Sequence, residues 1–295
     1  MGSLVSITGL QASKRAKRSL CVVLQASILL AAGCDRAGAP QATAPNPEKQ
    51  EPPVQVLVSD PPEVVEVIAS LDAKTREDGR GLIIEIDFRG TSVSNEELID
   101  LHQLPALRSL LLLDTAVDDA GLKHIGKIST LENLDLRECA VSDQGIESLS
   151  TLQKLKAIKL SGKDGDCTVG DPAMETLAGL SNLKVIGLDF LWVGDEGIDA
   201  IRPLKNLQEL YLAETTVGNE AIAMMADFPN LKKLRLARNG IDGEGAEHLA
   251  KLKLLEELDL SECAQLDDAA MQPIGTMLPL TKLNLWRVNV TDAGI

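Results

Sequence analysis

The side chains able to do chemistry are few and scattered. Five cysteines (Cys21, Cys34, Cys139, Cys167, Cys263) and three histidines (His102, His124, His248) are spread over 295 residues. A zinc site needs nitrogen and sulfur ligands converging from close spacings, and no such run exists here. Nucleophilic catalysis needs a Ser or Cys beside a His that a carboxylate orients; no such set converges, and no glycine-rich phosphate loop precedes a helix. Asp164 and Asp166 stand two apart as in a calcium loop, but the twelve-residue spacing and closing glutamate are missing, so Ser161 to Cys167 reads as a polar turn. One column of polar residues recurs at near-regular intervals: Asp119, Asp143, Asp171, Asp195, Asn219, Asp268 and Asp292, with Asn95 and Gly243 in equivalent places. One acid per repeat at a helix start fits an N-cap, whose side-chain oxygen accepts an orphan N–H of the first turn, better than a metal site. No catalytic residue, metal or cofactor is expected, and the chain reads as a non-enzyme.

The chemistry expected at Cys34 is a modification. Lys14, Arg15, Lys17 and Arg18 precede the mostly apolar stretch Leu20 to Leu30, and Ala31, Ala32 and Gly33 run up to Cys34. That stretch is too short for a comfortable membrane span and right for an export signal over residues 1–33. Leu30, Ala31, Ala32, Gly33 and Cys34 resemble the lipobox of bacterial lipoproteins, with Ala31 where a larger apolar residue is usual. The resemblance implies lipidation at Cys34 and display at the bacterial cell envelope, touching the membrane through that anchor alone. The alternative is an ordinary export signal and a soluble secreted or periplasmic protein. Seven of thirteen prolines lie in residues 34–62, a composition that cannot bury a core and reads as an extended tether.

The rest of the chain is a repeat. Residues 107, 131, 155, 183, 207, 231, 255 and 280 are all leucine, at intervals of 24 to 28 residues, which signals a solenoid. Within one repeat Leu131, Leu134, Leu136 and Val141 are apolar at positions one, four, six and eleven, with Cys139 at nine. This resembles the leucine-rich-repeat consensus, most nearly its cysteine-containing, ribonuclease-inhibitor-like branch. The resemblance implies an α/β solenoid: a horseshoe with a parallel concave sheet and convex helices, about nine repeats over residues 81–295, the last cut off. Glu63 to Lys74 has helical spacing after Pro61 and Pro62, so residues 63–80 are expected to be a capping helix. The other end shows no cover and offers a route to self-association. Cys139, Cys167 and Cys263 share position nine as small buried residues, and an oxidising compartment would permit a Cys139–Cys167 disulfide.

Composition agrees. With 44% apolar but only 2% aromatic residues, the core must be layers of Leu, Ile, Val and Ala. The net charge of −15 disfavours nucleic acid and anionic lipid. On the outward positions of the last four strands the signs alternate: Lys233 falls between Glu209 and Glu257, and Arg238 between Glu214 and Glu262. Such charges neutralise one another before they attract a ligand. The candidate partner-binding residues of the concave face are therefore Leu111, Leu113, Val185, Phe190, Tyr211, Arg235 and Trp286. The expected function is a non-catalytic scaffold at the bacterial envelope that binds a protein or a surface polymer. Alternatives are a structural envelope component self-associating through its open end, or the non-catalytic part of a longer enzyme.

Overall fold

A computed structural model describes residues 58–294. Cys34, the 1–33 signal and most of the 34–62 tether lie outside the described residues. The described residues belong to one compact unit. Its ten strands lie in a single sheet in chain order. They are β1 Lys74–Glu77, β2 Ile83–Asp87, β3 Ser109–Leu111, β4 Asn133–Asp135, β5 Ala157–Ser161, β6 Val185–Asp189, β7 Glu209–Tyr211, β8 Lys233–Arg235, β9 Glu257–Asp259 and β10 Lys282–Asn284. Strands β2 to β10 are parallel, and between them run short helices: α2 Asp119–Ile125, α3 Asp143–Glu147, α4 Asp171–Ala178, α5 Asp195–Ile201, α6 Asn219–Met225, α7 Gly243–Leu249 and α8 Met271–Gly275.

Register follows from the apolar period. Leu110, Leu134, Ile158, Ile186, Leu210, Leu234 and Leu258 face one another across successive strands and are all buried. A slip of one residue would turn each of these side chains outward, so the burial itself fixes the pairing. After β2 to β4 and β6 to β10 the chain turns in the left-handed backbone region, at Gly90, Asp114, Glu138, Phe190, Glu214, Arg238, Glu262 and Arg287. The turn prolongs the sheet: the N–H groups of Asp114, Glu214 and Arg238 donate to the next repeat at 3.0, 2.8 and 2.9 Å.

The polar column at the helix starts does something other than the capping expected of it. The N-caps are Asp118, Ser142, Gly170, Gly194, Gly218, Asp242 and Asp267, one residue earlier. Asp119, Asp143, Asp171, Asp195 and Asn219 are the first helical residues, as is Gly243, and their side chains serve the next repeat. Asp119 accepts the Ser142 N–H at 2.8 Å, Asp143 the Gly170 N–H at 2.8 Å, Asp171 the Gly194 N–H at 2.8 Å and Asp195 the Gly218 N–H at 3.0 Å. Asn95 accepts the Asp118 N–H at 3.1 Å, Asn219 donates to the Asp242 carboxylate at 2.8 Å, and Asp268 accepts the N–H and hydroxyl of Thr291. Asp292 lies in a turn. The reason is geometric. A first-turn residue has helical backbone angles, so its carboxylate leans away from its own first-turn amides and toward the adjacent helix. Glycine makes room for it: a Cβ at Gly145 would strike the Asp119 carboxylate, and one at Gly197 or Gly245 would strike Asp171 or Asn219.

Two other expectations change. The capping helix α1 spans Pro62–Ser70 and stops there, because Asp72 takes a left-handed backbone. Residues 74–77 form β1, antiparallel to β2, with every side chain exposed. An edge strand's unpaired backbone groups demand a partner, and a polar strand supplies one without needing a core face. Cys139, Cys167 and Cys263 are free and buried. The Cys139 and Cys263 thiols donate to the carbonyls of Leu112 and Leu236, at 3.0 and 3.1 Å, filling the role that Asn239 plays with its amide on Leu212. Burial raises all three thiol pKa values, that of Cys167 to about 11, so they are poor nucleophiles.

Gly145→Ala should destabilise the protein by about 1–3 kcal/mol, despite a helix propensity that favours alanine by about 1 kcal/mol. Urea denaturation of Gly145→Ala, Asp119→Ala and the double variant should give losses that do not add, because the alanine methyl and the carboxylate contest one space. A more stable Gly145→Ala would overturn the bracket. Asp242, through the Asn219 amide, and Asp268, through the Thr291 N–H and hydroxyl, are held below their ordinary 3.8. Their folded values are depressed, so their stabilisation is fully present above pH 3.8 and drains away as pH falls below it. The urea midpoint should fall with acidification across that window, and Asp268→Asn should flatten the fall.

Candidate functional site

The outward residues of a parallel sheet stand in columns, one per repeat, so a charge at one strand meets its counterpart on the next. In the C-terminal half this produces continuous ion-pair rows. Lys233 lies 3.2 Å from Glu209 and 3.9 Å from Glu257, which in turn meets Lys282 at 2.9 Å. At the strand ends, Arg238 bridges Glu214 at 2.7 Å and Glu262 at 3.0 Å, and Arg287 reaches Glu262 at 3.6 Å. The Glu209 carboxylate beside Lys233 raises the lysine pKa, and the two glutamates do the same for Arg238. The alternation of sign is therefore a self-neutralising ladder, each pair contributing about 0.2–1 kcal/mol.

Two of the candidate residues are woven into it. Arg235 reaches across a strand to Asp189 at 2.8 Å, while its Nε lies 3.4 Å from Asp259 without the alignment of a hydrogen bond. Asp189 also accepts the Ala213 N–H at 2.7 Å. Tyr211 donates its hydroxyl to Glu209 at 2.6 Å, and partial burial together with that carboxylate keeps the phenol protonated far above its ordinary range. Its ring, in register with Arg235, helps line a hollow of about 540 Å³ with Lys233, Glu257, Asp259 and Lys282. Each carboxylate around it is met by a cation or a donor.

The seven candidate binding residues do not form one patch. Leu111 and Leu113 are half-buried at β3, beside the Arg89–Asp87 and Arg137–Asp135 pairs. Val185 and Phe190 belong to β6 and its turn, and Tyr211 and Arg235 to β7 and β8. Trp286 stands past β10, its ring under the Arg287 guanidinium at 4.2 Å. Between them Gly187 leaves a notch in β6, against which the Lys159 stem lies. The histidines sit away from the sheet's strands, His102 in a 3₁₀ turn, His124 in α2 and His248 in α7. Among the described residues no group of three His, Cys, Asp or Glu side chains is arranged for a metal ion.

Sequence reasoning missed Trp192, which is 79% exposed. It lies two residues past Phe190, outside the strand positions at which outward side chains were sought. Aligning the repeats two places further would have found it: the equivalent positions hold Ala116, Ala140, Thr168, Thr216, Gly240 and Ala264. Lys163, in the four-residue insertion of the fourth repeat that the sequence marks as a polar turn, joins Phe190 and Trp192 around a hollow of about 350 Å³.

Known proteins agree on the architecture. The family described as "Leucine Rich repeat" matches residues 127–150 and 229–250, spans that contain β4 with α3 and β8 with α7. An internalin C2 from Listeria monocytogenes is similar in structure, with a TM-score of 0.55 and 23% identity over 78% of this chain and 93% of that one. An internalin (inlF) from the same organism gives a TM-score of 0.36 at 16% identity, covering 79% of this chain and 91% of that one. The leucine-rich-repeat ectodomain of a plant membrane receptor kinase from Arabidopsis thaliana gives 0.49 at 19% identity, covering 74% of this chain and 26% of that one. No curated protein matches by sequence. The period, the stacked parallel strands and the family match agree that the chain folds as a solenoid carrying leucine-rich repeats.

Proposed function

We propose that this protein is a non-catalytic interaction scaffold, exported and lipid-anchored through Cys34 at a bacterial cell envelope, that binds a protein or a surface polymer on its concave face. The observation that carries the reading is the state of the charges: in the C-terminal half each concave cation is already paired, from Lys233 to Arg287. A ligand gains little from charges that are satisfied in advance, so its binding energy comes from half-exposed rings and aliphatic groups framed by a polar rim. That is the anatomy of a protein interface, with aromatic anchors at the centre. A second reading, self-association through the edge at β10, is favoured by one feature, the exposure of Leu278 at 93% and Leu283 at 38%. Its signature is a sedimentation coefficient that rises with protein concentration and stops rising in Leu278→Asp.

Affinity capture from envelope extracts tests the main reading. Tyr211→Ala and Phe190→Ala should each weaken retention of the captured partner by about 2 kcal/mol, roughly thirtyfold. Capture unchanged in both variants would rule out this face. Lipidation is tested separately: Cys34→Ala should move the protein from the membrane to the soluble fraction and abolish the acyl mass increment, and persistence of either contradicts the anchor.

A further inference from the structure

We propose that the rim where the fourth and fifth repeats meet is the partner's anchoring point: Phe190, Trp192 and Lys163 receive a large apolar side chain of a protein segment that also presents a carboxylate to Lys163. The inference rests on the protein-binding reading of the concave face and names where on it the partner is gripped.

Three departures from an otherwise regular solenoid coincide at this place. Phe190 holds a left-handed backbone at φ 63°, where the other strand-end turns of the repeats use charged residues or glycine. A bulky side chain is unfavourable in that conformation, and Phe190 remains half-exposed, so burial does not offset the strain. Trp192 breaks a column of small residues and puts most of a large ring into water. The third departure is the insertion itself, Lys163 to Asp166, turning at Gly165 with φ 86°. Local rules broken together, without a packing gain, mark a site of function.

The insertion is held against the aromatic pair at both ends. The Gly162 N–H donates to the Asp189 carbonyl at 3.1 Å, and a Cβ at Gly162 would collide with the Phe190 carbonyl, so only glycine allows so close an approach. Beyond the insertion, Gly170 bridges to Trp192. Lys163 thereby lines two hollows, about 350 Å³ on the Trp192 side of Phe190 and about 370 Å³ on the side floored by Ala213, Ala237 and Ser261. Arg235 and Arg238 next to it are ion-paired, whereas Lys163 has no carboxylate within 4.0 Å among the described residues. An unpaired ammonium beside exposed rings is complementary to a carboxylate next to a large apolar side chain. The chain's net charge of −15 repels a polyacid at long range, but screening over about 8 Å leaves the local contact intact, so the segment is of mixed charge.

A random dodecapeptide library displayed on phage and panned on the purified protein tests this, followed by fluorescence polarisation with the selected peptides. Selected peptides should pair Asp or Glu with Trp, Phe or Leu. Their affinity should fall at least about tenfold in Trp192→Ala and in Lys163→Glu, and fall less in Tyr211→Ala than in either of these. A peptide with Lys in place of its acid should recover binding to Lys163→Glu. All three side chains are solvent-facing, and circular dichroism with thermal melting confirms that the variants fold. Peptides lost on Tyr211→Ala but indifferent to Trp192 and Lys163 would overturn the rim assignment and leave the concave-face reading standing. Selected peptides indifferent to Trp192, Lys163 and Tyr211, or no binding of peptide or polymer at all, would overturn both. Binding of a hexameric N-acetylglucosamine chain that depends on Trp192, with no peptide selected, would replace the protein segment with a polymer.

Discussion

A repeat of this solenoid cannot satisfy its own backbone at the convex side. The amides that enter α3 to α6 are each met by a carboxylate from the repeat before, as Ser142 is by Asp119 and Gly194 by Asp171. Removing one acceptor leaves a partly buried N–H unpaired, a cost of about 1–3 kcal/mol. The sheet makes the same demand on the concave side, where every strand between β2 and β9 is paired on both edges. Each layer is thus held by its neighbours and by nothing further away, so stability is a sum of nearest-neighbour interfaces.

That dependence explains what could be read from the residues and what could not. The fold was legible because leucines at a fixed interval admit one arrangement, stacked strands with the apolar side chains inward. The ladder of Lys233 and Arg238 was legible for the same reason: in-register strands make sequence spacing equal to spatial adjacency. The aspartate column was visible but its role was misassigned, since spacing alone does not tell which repeat a carboxylate serves. A clue stood two residues on, in Gly121, Gly145 and Gly197, whose missing side chains leave the room that a neighbour's Asn or Asp side chain fills. The β1 strand left no trace, because Lys74 to Glu77 has no apolar alternation and pairs through its backbone alone. Trp192 escaped because it follows the strand rather than lying on it.

The two faces are held by opposite economies of charge. On the concave side cations and carboxylates alternate along rows, so a single charge change there disturbs two neighbours, as Arg238 between Glu214 and Glu262 makes plain. On the convex side the acids meet neutral amides and hydroxyls, and their charge is spread over donors rather than cancelled. The net negative charge of the chain therefore has its regular, repeated component on the helical side, and the sheet is left comparatively neutral for contact.

The fourth repeat is four residues longer than its neighbours, yet Asp143 reaches Gly170 at 2.8 Å, the distance that Asp119 and Asp171 keep to their own partners. The strand pairing β5 to β6 is equally undisturbed. In an arch, curvature is the difference in spacing between the inner and outer courses of stone, and here both courses keep their spacing through the long repeat. The extra length leaves the arch at its side, as a ledge. Loops can therefore lengthen at this edge without bending the frame, and new contact surface can be added to the solenoid while its radius stays as it was.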